Sequence, residues 1–199
     1  MRLLPGLGGI IVVAVLATPA LACTSLICSP GATADGATVV TYTCDGEFHP
    51  HLRHTPATDH APGDVFEVRT WGGELRGTVP QPEHTHSVVN LMNEHQVTIA
   101  ETTFGGREEL RNPDGLLHYW TLMRLALQRS TTAREAIEDM TSLVDEHGYT
   151  STGETFAIGD PEEAWIMEMI GPGPGGDGAL WVARRVPDGI ETAAYRRES

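Results

Sequence analysis

Two short runs rich in β-branched residues open the ordered part of the pattern. They are Thr-Ser-Leu-Ile-Cys-Ser at 24–29 and Thr-Val-Val-Thr-Tyr-Thr-Cys at 38–44, set around Pro30, Gly31, Asp35 and Gly36. They predict a β-hairpin. With Asp35-Gly36 as a two-residue turn, Cys28 faces Thr43 and Cys44 falls on the other face. Residues 46–63 hold Gly, Pro and four His and read as a long surface loop. Short strands are expected at Val65–Arg69, Ser87–Leu91 and Gln96–Thr102. The period then changes. Leu116, Trp120, Met123 and Leu127 recur at spacings of 4, 3 and 4, which predicts a helix capped by Asp114. Thr132 with Glu135 forms a capping box for a second helix, with Ala133, Ile137, Met140 and Val144 inward and Gly148 at its end. Strands close the pattern at Thr155–Ile158, Ala164–Ile170 and Ala179–Val186. In the middle one Trp165, Met167 and Met169 point one way and Ile166, Glu168 and Ile170 the other, which suits a sheet covered on both faces. Strands, two helices and strands again predict an α+β fold of antiparallel sheets layered with helices. No internal repeat is visible. The stretch from Gly171 to Gly178 follows no strand-to-helix junction, so it reads as a turn and not as a phosphate loop.

The amino terminus has a different character. Arg2 is followed by a Gly-broken apolar run from Leu7 to Ala17 and by Thr18-Pro-Ala-Leu-Ala22. A positive residue, a short apolar stretch and small residues at −3 and −1 predict a secretory signal peptide over 1–22, cut between Ala22 and Cys23. The mature chain, 23–199, then lies outside the cytoplasm, in the periplasm or the extracellular medium. The cut leaves a cysteine first, with a thiol and a free α-amine on one residue. Their ordinary pKa values are about 8.5 and about 8, so the amine can take the thiol proton near neutral pH. A second reading makes Cys23 the lipid-bearing residue of a lipoprotein, although Ala20 at −3 and Leu21 at −2 reverse the usual order of large and small. Lipidation and nucleophilic catalysis exclude each other, because one consumes the thiol and blocks the amine.

Charge narrows the partners. Thirteen basic residues, all arginine, face 27 acidic ones, for a net charge of −14. Long-range repulsion makes nucleic acid and anionic membrane poor partners. The length of 199 residues suits one domain or a piece of a larger one. Cysteines are three, Cys23, Cys28 and Cys44, so at least one thiol stays unpaired. Cys23 and Cys28 are about 16 Å apart along one strand and cannot pair. Cys28–Cys44 needs a slipped register.

Other polar residues admit plainer roles. His84 and His86 at i, i+2 share one face of a strand, and with His49, His51, His54 and His60 nearby a zinc or nickel site is thinkable. No acidic or cysteine partner sits at ligand spacing in the sequence, so the expectation is a solvated His-rich stretch, with no metal and no cofactor. Glu168 is expected to pair with Arg184 or Arg185. Asn93-Glu94 reads as a turn. Glu101 either recognises a peptide's free amine or is an edge charge. Arg107, Glu108, Glu109 and Arg111 read as a solvated loop.

An ordered set of segments carries a resemblance. It starts at Cys23-Thr24-Ser25 and Ala34–Ala37, then runs through His84-Thr-His-Ser-Val-Val89 and Met92-Asn-Glu-His95. It continues with Glu101-Thr-Thr-Phe-Gly-Gly-Arg107, Thr132–Ala136, Gly153-Glu-Thr-Phe156, Trp165–Met169 and Trp181–Arg185. Together these segments resemble the cysteine dipeptidase family of N-terminal-nucleophile hydrolases, the group that includes dipeptidase A and the secernins. The resemblance implies a four-layer αββα sandwich whose nucleophile is the first residue of a central strand. It implies hydrolysis of dipeptides or short peptides through a thioester acyl-enzyme, with Cys23 as nucleophile and its α-amine as base. Asp45 stands where the family and its bile-salt-hydrolase cousins place an aspartate that positions the amine. The cousins carry an arginine three residues earlier, where this chain has Tyr42. Tyr42, Asn93 and Thr103 become the candidates for substrate and oxyanion contacts. Family members usually run to more than twice this length and reach a later strand bearing an oxyanion-hole Asn, whereas no Asn follows Asn112 here. The expectation is a truncated N-terminal portion of such a domain. Two other functions stay open: a non-catalytic secreted or lipid-anchored fragment, and an amidase of the same fold acting on non-peptide acyl amides.

Overall fold

A β-rich start, two helices and a β-rich end appear in the order the periodicity demands. The computed structural model describes residues 24–44, 52–188 and 190–191. The leader expected over 1–22, Cys23 and Asp45 lie outside the described residues. The first strands are β1 (Thr24–Cys28), β2 (Val39–Thr43), β3 (His54–Thr55), β4 (Thr58–Asp59), β5 (Val65–Arg69) and β6 (Leu75–Pro80). Next come β7 (His84–Thr85), β8 (Val88–Val89), β9 (Met92–Asn93) and β10 (Thr98–Gly105). Helices α1 (Tyr119–Arg129) and α2 (Ala133–His147) follow, then β11 (Gly153–Gly159), β12 (Ala164–Ile170), β13 (Leu180–Arg185) and β14 (Ile190–Glu191).

Strands β13-β12-β11-β10-β9-β8-β3 form one seven-stranded sheet, antiparallel at every paired step. Its two faces are covered differently. On one, Ile99, Phe156, Ile158, Met167 and Met169 join Leu122, Met123, Leu125, Ile137, Met140 and Val144 of the helices in a single buried cluster. On the other, Ala100, Ala157 and Ala164 meet Ile27, with Val40, Tyr42 and Ile166 packed around them. Three alanines in a row of neighbouring strands keep that face low, so the second sheet, β14-β1-β2, can lie directly on it. The result is a helix–sheet–sheet stack with β1 in the middle of the outer sheet. Among the described residues no helix covers the far face of that outer sheet. All seven residues of β11 are buried, as expected of a central strand between two layers.

Several expectations are corrected. The first hairpin forms, but Cys28 faces Val39 and Thr24 faces Thr43. The connection is longer than a two-residue turn, because Pro30–Ala32 coils into a short 3₁₀ turn before Asp35-Gly36 is reached. Among the described residues neither Cys28 nor Cys44 is part of a disulfide. The strand expected over 87–91 is instead a tight hairpin in which Val89 faces Met92. Asn90, at φ 50°, turns the chain there, a left-handed position that asparagine tolerates better than most residues. The 46–63 loop contains β3 and β4, and β6 pairs with β5 although only β5 was legible in the pattern.

The first helix starts four residues later than expected, capped by His118 and not by Asp114. Leu116 and Leu117 spend their N–H groups on the carbonyls of His147 and Gly148, and Leu117 accepts from the N–H of Thr150. A backbone tied to the end of α2 cannot also coil, so His118 becomes the N-cap, its Nδ1 accepting from Trp120 N–H at 3.5 Å. The second helix is as expected. Thr132 Oγ1 accepts from Glu135 N–H at 3.2 Å, Ala133, Ile137, Met140 and Val144 are buried, and Gly148 ends the helix at φ 75°. The Glu135 carboxylate reaches back to Thr131, whose N–H and hydroxyl donate to it at 2.7 and 2.6 Å.

Candidate active site

The strand that begins one residue after Cys23 is locked to the large sheet by its own side chains. Ser25 is buried, donates its hydroxyl to the Glu101 carbonyl at 3.3 Å and is hydrogen-bonded to Thr102 Oγ1 at 2.9 Å. Thr24 N–H donates to Thr43 Oγ1 at 3.1 Å, and that hydroxyl donates back to the Thr24 carbonyl at 3.2 Å. The first residue of β1 is therefore held from both sides, through backbone pairing and through a side chain.

Across from Ser25 sits Tyr42, and from it a polar chain runs into the sheet. The Tyr42 hydroxyl donates to Glu101 Oε1 at 2.5 Å. Thr103 Oγ1 lies 2.8 Å from Glu154 Oε2 and 3.5 Å from Glu101 Oε2. Ser151 donates to the other oxygen of Glu154 at 3.4 Å. Both carboxyls are buried, Glu101 to 3% exposure and Glu154 to 0%. Burial and the neighbouring Glu101 carboxylate push Glu154 up to about 9, so at neutral pH it holds a proton. Burial and the bond to Glu101 push the Tyr42 phenol far above its usual range, so it remains a neutral donor. One protonated acid, one phenol and one threonine hydroxyl thus surround the Glu101 carboxyl group. Among the described residues no arginine or histidine pairs with it. A buried carboxylate served only by neutral donors is a ready acceptor for a cation.

Local backbone geometry brings these groups together. Thr103 faces Glu154, yet Gly105 faces Gly153, so Phe104 is an extra residue on β10. The bulge bends the strand next to the acid pair, a frequent place for such irregularities. Phe104 lies so close over Gly153 that a Cβ there would come within 2.3 Å of its ring. Beside Ser151 and Gly153 a shallow depression opens, lined also by Arg107 and Arg111. Those two arginines make exposed ion pairs with Glu109 and Glu108, as a solvated loop would.

Of the candidate residues, Tyr42 and Thr103 come together through Glu101. The Thr103 hydroxyl is committed to the acid pair. Asn93 is elsewhere and fully occupied. Its Nδ2 donates to the carbonyls of Leu127 and Ser130 at 2.9 and 2.8 Å, and its Oδ1 accepts from the N–H groups of His95 and Val97 at 3.0 Å. It ties the end of α1 to the turn after β9 and has no free polar atom for a substrate. Arg185 pairs with Glu163 and Asp188, not with Glu168. Glu154 and Ser151 were not among the candidates. The available signal was a glutamate inside the otherwise uncharged run Gly-Glu-Thr-Phe-Ala-Ile of 153–158.

The chain is 25% identical over 201 aligned residues to a protein of Bifidobacterium longum (strain NCC 2705) described as "Dipeptidase", covering 84% of this chain and 36% of that relative. It thus spans about a third of the length of the curated relative it matches. The family model of Peptidase family C69 matches residues 54–197, from β3 to beyond β14. That span takes in well over half of the sequence, and the chain belongs to peptidase family C69.

Proposed function

We infer that this chain is the nucleophile-bearing part of an exported cysteine peptidase that hydrolyses dipeptides or other short peptides with a free amino end. The observation that carries this reading is Glu101, a buried carboxyl served by Tyr42 and without a cationic partner among the described residues, beside the strand that starts at Thr24. An ammonium group is the cation of the right size and charge for it, and the α-ammonium of a short peptide supplies one. Membership of family C69 and the similarity to a protein described as a dipeptidase support the same class of substrate.

The chemistry follows from the residue next in line. Removal of residues 1–22 bares the Cys23 thiol and α-amine together. The amine takes the thiol proton, and the thiolate attacks the carbonyl carbon of the scissile peptide bond. The C–O π bond opens to an oxyanion. Its collapse breaks the C–N bond, and the α-ammonium returns its proton to the leaving amine. The acyl group is then a thioester on Cys23. Water attacks it, the amine accepting one proton and delivering it to the departing sulfur. Asp45 positions the amine in this scheme. Glu101 holds the substrate's ammonium, and Tyr42, Thr103 and Glu154 hold Glu101.

The test uses protein whose first residue is Cys23. Turnover of a dipeptide panel, lost by about three orders of magnitude or more in Cys23→Ser and equally when one residue is added before Cys23, is the expected result. Turnover that survives a capped amine overturns the mechanism. Intact mass of the exported protein separates the anchor reading, because a diacylglyceryl adduct on Cys23 excludes catalysis by it. Preference for N-acyl amino acids over free dipeptides would make the protein an amidase instead.

A further inference from the structure

A second chemical cluster lies away from the acid pair, where β7 approaches the β8–β9 hairpin. Strand alternation separates its side chains cleanly. Thr85 points inward, is 1% exposed and is bonded to His60 Nε2 at 3.0 Å, so His84 and His86 point outward on one face. The hairpin then delivers the acid that the sequence spacing did not show. Glu94 N–H donates to the Ser87 carbonyl at 3.0 Å, and Ser87 N–H donates to Glu94 Oε1 at 2.8 Å. This double latch sets the Glu94 carboxylate beside His86, with Oε1 3.9 Å from His86 Nδ1. One donor atom from each of His84, His86 and Glu94 lies within 4.8 Å of the other two. His95 adds a third imidazole, its Nε2 3.3 Å from His86 Nδ1.

We propose that His84, His86 and Glu94, with His95 at their side, form a binding site for one divalent transition cation of the zinc class. Two imidazoles and a carboxylate are a ligand set that such cations favour over calcium or magnesium. Tetrahedral bonds of about 2.0–2.1 Å place ligand atoms about 3.3 Å apart. The half-exposed side chains of His84 and Glu94 have the freedom to close the remaining gap by rotation. The outer shell is already built. Asp59 Oδ1 holds His84 Nδ1 at 2.6 Å, which directs the other ring nitrogen, and the Ser87 N–H orients Glu94. Rings of His84, His86 and His95 stack edge to face at 5.4 and 4.4 Å, which gathers their nitrogens on one side of the hairpin. The effect of a shared cation is mechanical, because it cross-links the β4–β7 ribbon to the β8–β9 hairpin of the large sheet. Among the described residues this is the sole group of three or more such side chains in mutual reach.

Calorimetric titration of untagged, chelator-stripped protein with zinc chloride in a non-coordinating buffer reads the site directly. One equivalent is expected to bind with micromolar or tighter Kd. At a hundredfold excess over Kd, Tm is expected to rise by about 5 °C. His84→Ala and Glu94→Gln should each weaken binding at least tenfold, and Asp59→Asn by about tenfold through the outer shell. Glu94→Gln keeps an oxygen for the Ser87 N–H, so loss of binding there is not loss of the hairpin; circular dichroism checks this. His147→Ala, on the end of α2, should leave Kd unchanged. Absence of stoichiometric binding overturns the proposal. So does binding that His84→Ala and Glu94→Gln leave unaltered, which would assign the zinc to thiols or to other histidines.

Discussion

Glu101 and Glu154 share one buried polar site, and each can be tested through its own substitution. If Glu101 receives the ammonium of a short peptide, Glu101→Gln removes a charge-assisted bond worth about 1.5–3 kcal/mol. The expected result is a loss of roughly 10–100-fold in kcat/KM for free dipeptides, with a smaller change for N-acetylated ones. An equal loss on both substrates would show that Glu101 does not read the amine. Glu154 bears on stability. Its pKa rises from the usual 4.5 to about 9 on folding, so between those values the folded chain binds more protons than the unfolded one. Its contribution is therefore complete below about 4.5 and is lost progressively as pH rises to about 9. Glu154→Gln keeps the bonds of a neutral acid and cannot ionise. Urea midpoints of this variant should fall less steeply from pH 5 to pH 9 than those of the wild type, with the largest gain at the alkaline end. A variant with the unchanged slope would place the titrating group elsewhere.

At the level of elements, the bulge in β10 and the glycine opposite it act together. Phe104 needs the space that Gly153 leaves, since an added Cβ would sit 2.3 Å from its ring. Gly153→Ala must move Phe104 or the strand, and a loss of about 1–3 kcal/mol in denaturant stability is expected. Phe104→Ala in the same background should recover part of it, which separates steric clash from backbone strain. Much of this level was open to reading from the chain alone. The Thr132 cap, the inner face of α2, Gly148 at its end and the register-free positions of β11 and β12 all follow from local chemistry and from periods of 3.6 and 2. The start of α1 was not open in this way. Its first residues are helical by periodicity but are claimed by the carbonyls of His147 and Gly148, far along the chain at the end of α2.

Among the described residues the seven-stranded sheet ends at β13, where Leu180, Trp181 and Val182 are 55, 47 and 59% exposed. An open edge strand carrying large apolar groups invites strand-to-strand association. Purified as the 199-residue chain, the protein is expected to self-associate with rising concentration, and Trp181→Lys to shift sedimentation toward monomer without altering the far-ultraviolet spectrum. Unchanged sedimentation in that variant would clear this edge. What was settled by composition and pattern alone is the class of the molecule: helices and strands in their order and a polar excess of acid. Those are properties of a residue and its near neighbours, fixed by side-chain volume, charge and backbone preference. Which acids meet was settled only by packing. Thr103 faces Glu154 across two strands more than fifty residues apart, Tyr42 reaches Glu101 from a second sheet, and Glu94 joins His84 and His86 through a hairpin. Burial, and with it the proton held by Glu154, exists only once both sheets have closed on each other, because desolvation is a property of the assembled layers and not of any segment.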